Sequence, residues 1–225
     1  AADAPRLDQA AAPRALIAPA AEHPGAGSWQ LDGALPEPLL ARLDRIWPLL
    51  PDCRGEVGRR TAQRLFFCDA EASVVAWLHG ALRAAGFADA WVSPWMRFLK
   101  YKVPGARLAP HEDCQWLPGY DAAHPDGYAP QETTHSLLLY LNDCPCGGGD
   151  TLLLDRMPRT EEDSYEASPA RCAVAPRRGR MLLFPHRCVH AGAPVERLPK
   201  VLLRADVRLG PRRAPPPPDA GRTTA

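Results

Sequence analysis

Between Trp91 and Leu209 the chain carries eight short β-prone runs, each cut off by glycine, proline or a polar turn. They are WMRFLKYKV, ARLAPHED, HSLLLYLND, DTLLLDR, RCAVAP, GRMLLFP, CVHAGAPVE and KVLLRADVRL. Strands this short, with turn signals between them, read as an all-β sandwich or barrel. A pair of them buries too little apolar surface to stand alone. The length of 225 residues allows one such domain plus tails, or at most two small domains.

Two helices are expected before the strands. PEPLLARLDRIWPLLP puts Leu39, Leu43 and Ile46 or Trp47 on one face, and Pro48 and Pro51 end it. DAEASVVAWLHGALRAAG carries the stripe Val74, Leu78 and Leu82, with Asp69 as N-cap and Gly86 one position past the end. Trp91 and Trp95 are expected to pack these helices against the sheet. Residues 1–27, rich in Ala and Pro without an apolar period, are expected to be disordered. The Pro-rich tail 211–225 reads as polyproline II or disorder, and the acidic stretch 155–170 as a surface loop.

Composition excludes several functions. The net charge of +1 supplies no global field toward nucleic acid or an anionic membrane, so neither is an expected partner. No run approaches the ~20 apolar residues of a membrane span. The first 27 residues lack the charged and apolar blocks of a secretory signal. Seven cysteines at irregular spacing are no disulfide framework and read as reduced thiols of a cytoplasmic protein. Cys144 and Cys146 form a C-x-C without a matching second pair, which reads as a turn beside the glycines.

The chemistry-bearing residues lie in the β region. On a strand, His111 and Asp113 of HEDC point to one face and Glu112 to the other. His190, far downstream, is a candidate third ligand. Two histidines and one carboxylate on three corners of an octahedron leave three positions open, as in the facial triad of non-haem Fe(II) oxygenases. Lys200 stands ten residues after His190 and would share a strand face with Leu202 and Arg204. If that face is the one His190 addresses, the cations ask for an anionic ligand, because an unpaired buried charge is costly. A dicarboxylate chelating the metal at one end and meeting a cation at the other satisfies both.

From about Trp91 to Leu209 the chain resembles the 2-oxoglutarate- and Fe(II)-dependent dioxygenases, within them the prolyl 4-hydroxylase-like branch. The resemblance lies in YKVPGARLAPHED, in LLLYLNDCPCGGGDTLLL and in PRRGRMLLFPHRCVHAGAPVERLPKVLLRADV, taken in order. It implies a double-stranded β-helix, two antiparallel sheets closing on the site, supported by N-terminal helices. In chain terms that is a mainly β, α+β domain over residues 28–210. It implies His111, Asp113 and His190 as iron ligands and Lys200 as the residue meeting the distal carboxylate of 2-oxoglutarate. Tyr101, Tyr140, Thr151 and Arg204 are further cosubstrate candidates, and Ser136 shares a face with Tyr140. Fe(II), 2-oxoglutarate, O2 and ascorbate are the implied cofactors. The implied reaction hydroxylates a C–H bond of a peptidyl residue, proline among the candidates, or of a small molecule, releasing succinate and CO2.

The chain departs from the branch at two places. Leu108 stands where many prolyl hydroxylases carry an aromatic residue, and Leu202 and Leu203 follow the lysine where an aromatic is common. These changes touch the prolyl substrate rather than the chemistry. His186, four residues before His190, is expected at the rim or behind a ligand, and Phe184, Pro185 and Gly192 argue against a helical zinc pair. His135 is read as structural; Trp116 and the loop around His124 are read as packing or cover. Two other readings remain: a catalytically silent jelly-roll binding or scaffold domain, and a zinc hydrolase. Neither has a use for Lys200 at its spacing.

Overall fold

The computed structural model describes residues 12–51, 62–114, 133–144, 148–158 and 170–210. Strands β1 (Arg14–Ile17), β2 (Ser28–Leu31) and β3 (Gln63–Cys68) precede the eight expected from the sequence. Those eight are β4 (Trp91–Tyr101), β5 (Leu108–His111), β6 (His135–Tyr140), β7 (Thr151–Leu154), β8 (Ala170–Val174), β9 (Met181–Pro185), β10 (His190–Gly192) and β11 (Lys200–Arg208). The helices are α1 (Glu37–Ile46) and α2 (Ser73–Ala84). One sheet has the order β1-β2-β9-β6-β11-β4-β3 and the other β5-β10-β7-β8. All pairings are antiparallel. Two facing antiparallel sheets with helices on one outer side make a mainly β, α+β jelly roll.

The larger sheet is covered on both faces. Phe98, Leu139, Leu183 and Leu203 turn outward and pack with Leu39 and Leu43 of α1 and Leu78 and Leu82 of α2. Leu99, Leu138, Leu182 and Leu202 alternate to the inner face and meet Leu153 of β7 and Val174 of β8. Double burial explains why HSLLLY and KVLLRADV read as nearly continuous apolar runs.

Local chemistry sets the helix ends. Asp69 is not the N-cap residue of α2; Ala72 is, with φ 54°. Asp69 nevertheless caps the helix from three residues upstream, its Oδ2 accepting the N–H groups of Val74 at 2.7 Å and Val75 at 2.8 Å. Gly86 takes φ 92°, and its N–H and that of Phe87 close on the carbonyls of Arg83 and Leu82. This is a Schellman end, where the left-handed conformation favours glycine.

Three further expectations are corrected. The segment 12–27 is not disordered, because β1 pairs with β2 and Ile17 is buried beneath it. Trp91 and Trp95 do not pack the helices; Val92, Met96 and Phe98 do, and alternation turns the tryptophans to the other face. The strand carrying HEDC ends at His111, so Asp113 lies just beyond it. Residues 1–11, the tail 211–225, Trp116, His124 and most of the acidic loop lie outside the described residues. Among the described residues, no helix is long and apolar enough to cross a membrane.

Candidate active site

Strand pairing brings the two candidate histidines together. His190 on β10 lies directly opposite His111 on β5, and their ring centroids are 4.2 Å apart. Asp113 is drawn back to them because its N–H donates to the carbonyl of His186 at the end of β9, 3.0 Å away. Asp113 Oδ1 then lies 3.7 Å from His111 Nε2, and Oδ2 lies 3.5 Å from His190 Nε2. One ligand atom from each of the three residues falls within 4.8 Å of the others.

The hydrogen bonds behind the rings settle which nitrogen faces the site. His111 Nδ1 lies 2.8 Å from the Ala109 carbonyl and His190 Nδ1 lies 2.9 Å from the Cys188 carbonyl. A carbonyl only accepts, so both Nδ1 atoms carry the proton and both Nε2 lone pairs face Asp113. Burial pushes the His190 imidazole down to about 4, against the pull of Asp113, which keeps it neutral. Burial would raise the Asp113 carboxyl, but His111, Arg204, His190 and Ser136 together hold it well below the usual carboxylate range. Two imidazoles that turn Nε2 to the site and an ionised carboxylate are the donor set that Fe(II) takes in a facial arrangement, so the residues fit that ion.

A second layer holds Asp113. Ser136 Oγ donates to its Oδ2 at 2.5 Å, and Arg204 Nε does so at 3.2 Å. Arg204 Nη2 also reaches Asp206 at 3.0 Å and Ser136 Oγ at 3.1 Å. Arg204, read from the sequence as a cosubstrate candidate, therefore stands against the carboxylate ligand. His186 sits behind Ser136, its Nδ1 3.2 Å from Ser136 Oγ and its Nε2 3.1 Å from Thr133 Oγ1. That places it on the far side of Ser136 from Asp113, one of the candidate ligands.

Lys200 lies 1% exposed beside Tyr101, its Nζ 4.4 Å from the centre of that ring. Among the described residues no carboxylate comes within 4.0 Å of it, although Asp150 and Cys144 are near enough to act on its charge. Burial lowers the ammonium to about 8, and those two neighbours offset part of the shift. Tyr140 is fully buried and donates to Thr151 Oγ1 at 2.7 Å. Tyr101 and Thr151 line the pocket that His111, Asp113 and His190 open onto, while Lys200 and Tyr140 pack behind them. Gly192 also lines it, and a Cβ there would meet Tyr101 Oη at 3.1 Å and Leu108 Cβ at 3.2 Å, so the close approach of strand and tyrosine needs glycine.

Two charged pocket residues escaped the reading of the sequence, Arg97 on β4 and Arg64 on β3. The signal was available for Arg97: it lies two alternate positions before Tyr101 on one strand and so shares its face.

Comparison with known proteins follows the same lines. Residues 96–205 match the sequence model described as the 2OG-Fe(II) oxygenase superfamily. No curated protein matches. The fold is similar to the viral collagen prolyl hydroxylase of Paramecium Bursaria Chlorella virus-1, at TM-score 0.51 and 19% identity over 80% of this chain and 94% of that one. It is also similar to HygX of Streptomyces hygroscopicus, at TM-score 0.54 and 15% identity over 81% and 82% of the two chains. A third similar structure is the alpha-ketoglutarate-dependent epimerase SnoN of nogalamycin biosynthesis, at TM-score 0.56 and 15% identity over 81% and 78%.

Proposed function

Through residues 96–205 the chain belongs to the 2OG-Fe(II) oxygenase superfamily, and on that footing we propose that it hydroxylates a substrate C–H bond with Fe(II) and 2-oxoglutarate. One oxygen atom of O2 enters the substrate and the other enters succinate, with CO2 released. His111, Asp113 and His190 hold the iron, which when bound supplies the oxidising chemistry. One observation carries this reading: three ligand atoms converge within 4.8 Å, with both imidazoles fixed by backbone carbonyls to present Nε2.

The remaining residues position and shield. Lys200 meets the distal carboxylate of 2-oxoglutarate; support comes from its burial without a carboxylate in ion-pair range among the described residues. Tyr101, Tyr140 and Thr151 order the same end of the pocket through their hydroxyls and the Tyr101 ring. Arg204 and Ser136 hold Asp113 in the orientation the ion needs. Leu99, Leu138 and Leu202 keep that floor dry. Ascorbate serves to keep the iron reduced. The proposed catalytic domain takes in β1 through β11, so it starts at Arg14 rather than at residue 28. The five described cysteines are free thiols, in keeping with a reducing cytoplasmic setting. The substrate is a peptidyl residue or a small molecule; relatives of this fold include a collagen prolyl hydroxylase and a protein with hygromycin B bound.

Succinate release by the purified protein with Fe(II), ascorbate and 2-oxoglutarate tests the reading, beside His190→Ala, His186→Ala and Lys200→Ala. Wild type and His186→Ala make succinate; the other two do not. A wild-type protein that makes none and binds neither Fe(II) nor 2-oxoglutarate overturns the reading in favour of a scaffold.

A further inference from the structure

Two arginines on the pocket wall hold neither the metal ligands nor the expected cosubstrate anchor. Arg97 and Arg64 line the same pocket as His111, Asp113 and His190. The register places Arg97 directly opposite Arg204, the residue that bonds Asp113. Arg64 is opposite Leu99, one strand further out and one alternate position along. Neighbouring strands lie ~4.8 Å apart, so half-buried Arg97 and exposed Arg64 stand side by side on the β3–β4 wall of the pocket.

Among the described residues neither arginine has a carboxylate within 4.0 Å, although Asp113 and Asp206 are near enough to act on the charge of Arg97. Arg97 Nε is buried without a hydrogen-bond partner, and its guanidinium carbon lies 5.9 Å from the centre of the Phe66 ring. Burial and then repulsion from Arg204 lower the Arg97 guanidinium to about 10, against the pull of Asp113 and Asp206, which still leaves it charged at neutral pH. Arg204, by contrast, is satisfied by Asp113 and Asp206. A divalent ion and a dicarboxylate cosubstrate cancel each other in charge, and the cations Lys200 and Arg204 are offset in number by the carboxylates Asp113 and Asp206. Arg97 and Arg64 are the positive charge that this balance leaves over.

We propose that Arg97 and Arg64 bind an oxyanion of the primary substrate, so that the substrate is a small carboxylate rather than an internal residue of a peptide. The proposal rests on the oxygenase reading of the site. The planar guanidinium fork matches a carboxylate in geometry. An uncharged prolyl residue would close the pocket over Arg97 and leave a buried cation without a counter-ion, which is costly. The same oxyanion chemistry could also come from the distal carboxylate of 2-oxoglutarate, so the test separates the two sources.

Sulfate is the probe, an oxyanion that ligates metal weakly. It is titrated calorimetrically into the full chain loaded with Zn(II) and saturated with 2-oxoglutarate. Wild type takes up sulfate at one site. Arg97→Met weakens that binding about tenfold or more, as for the loss of a charged hydrogen-bonding partner. Arg97→Lys recovers most of it, Arg64→Met shows a smaller loss, and Lys200→Met leaves it unchanged while weakening 2-oxoglutarate. Equal sulfate binding by wild type and the Arg97→Met/Arg64→Met double variant, or none by wild type, overturns the proposal. Sulfate that displaces 2-oxoglutarate and is lost in Lys200→Met assigns the anion site to the cosubstrate and overturns it too. Failure of wild type to bind 2-oxoglutarate sinks the oxygenase reading instead, and sulfate titration of the metal-free protein then still reports on the two arginines.

Discussion

Ser136 Oγ donates to Asp113 Oδ2 over 2.5 Å, and that one proton sets the direction of the hydrogen bonds behind it. A serine has a single hydrogen to give, so His186 Nδ1 must donate to Ser136 at 3.2 Å. His186 Nε2 is then the acceptor for Thr133 Oγ1 at 3.1 Å. Asp113 is thus held from behind by a buried line of neutral groups as well as by Arg204.

Removing the serine hydroxyl loosens the carboxylate ligand without removing it. Ser136→Ala is expected to weaken Fe(II) or Zn(II) binding by about 10–100-fold, the usual cost of losing a partner behind a ligand. Metal titration with a parallel melting curve checks this. Unchanged affinity in a folded variant means that the Ser136 bond does not position Asp113.

The two histidines of FPHRCVH separate cleanly. His190→Ala abolishes iron binding, because it removes one of three converging ligand atoms. His186→Ala keeps iron but leaves Ser136 and Thr133 short of a buried partner. That loss costs about 1–3 kcal/mol of stability. Equilibrium unfolding and metal titration on both variants read the contrast.

The proposed role of Lys200 makes cosubstrate binding depend on pH. Its ammonium is lowered to about 8 in the free protein, chiefly by burial. A bound carboxylate favours the charged form, so binding above pH 8 takes up a proton. The 2-oxoglutarate Kd then rises by up to about tenfold per pH unit above that point. In the unliganded protein the sign reverses. The folded value lies below the ordinary 10.5, so the unfolded chain holds more protons and stability from this group grows as pH rises from 8 toward 10.5. Lys200→Arg flattens both dependences. Calorimetry in buffers of different ionisation heat shows the proton uptake.

Asp69 is a stability site remote from the pocket. Its carboxylate takes two N–H groups of the first turn of α2. Asp69→Ala is expected to cost about 1–2 kcal/mol, with activity per folded molecule unchanged. The denaturant midpoint checks the first part and succinate release the second.

Much of the β-region was legible because burial acts on sequence in a simple way. HSLLLY and KVLLRADV are apolar along their length because helices cover one face of the sheet and the second sheet the other. β1 and β3 carry no such signature. RALI borders an Ala- and Pro-rich stretch, and QRLFFC alternates with Arg64 on the pocket side. The candidate ligands were legible from spacing, since a register that pairs β5 with β10 puts His111 opposite His190. The place of Arg204 was not, because its partners Asp113, Ser136 and Asp206 come from three different parts of the chain. For Arg97, alternation already puts it on the face of Tyr101, but the pocket that face enters is set only when β4 pairs with its neighbours.

The central claim is that His111, Asp113 and His190 hold Fe(II) with 2-oxoglutarate chelated to it. The most direct measurement is the visible absorption of the anaerobic protein titrated with Fe(II) and 2-oxoglutarate, alone and together. The account predicts a charge-transfer band that needs both additions, saturates at one iron per chain and is absent from His190→Ala. A wild-type protein that shows no band and retains neither component contradicts it.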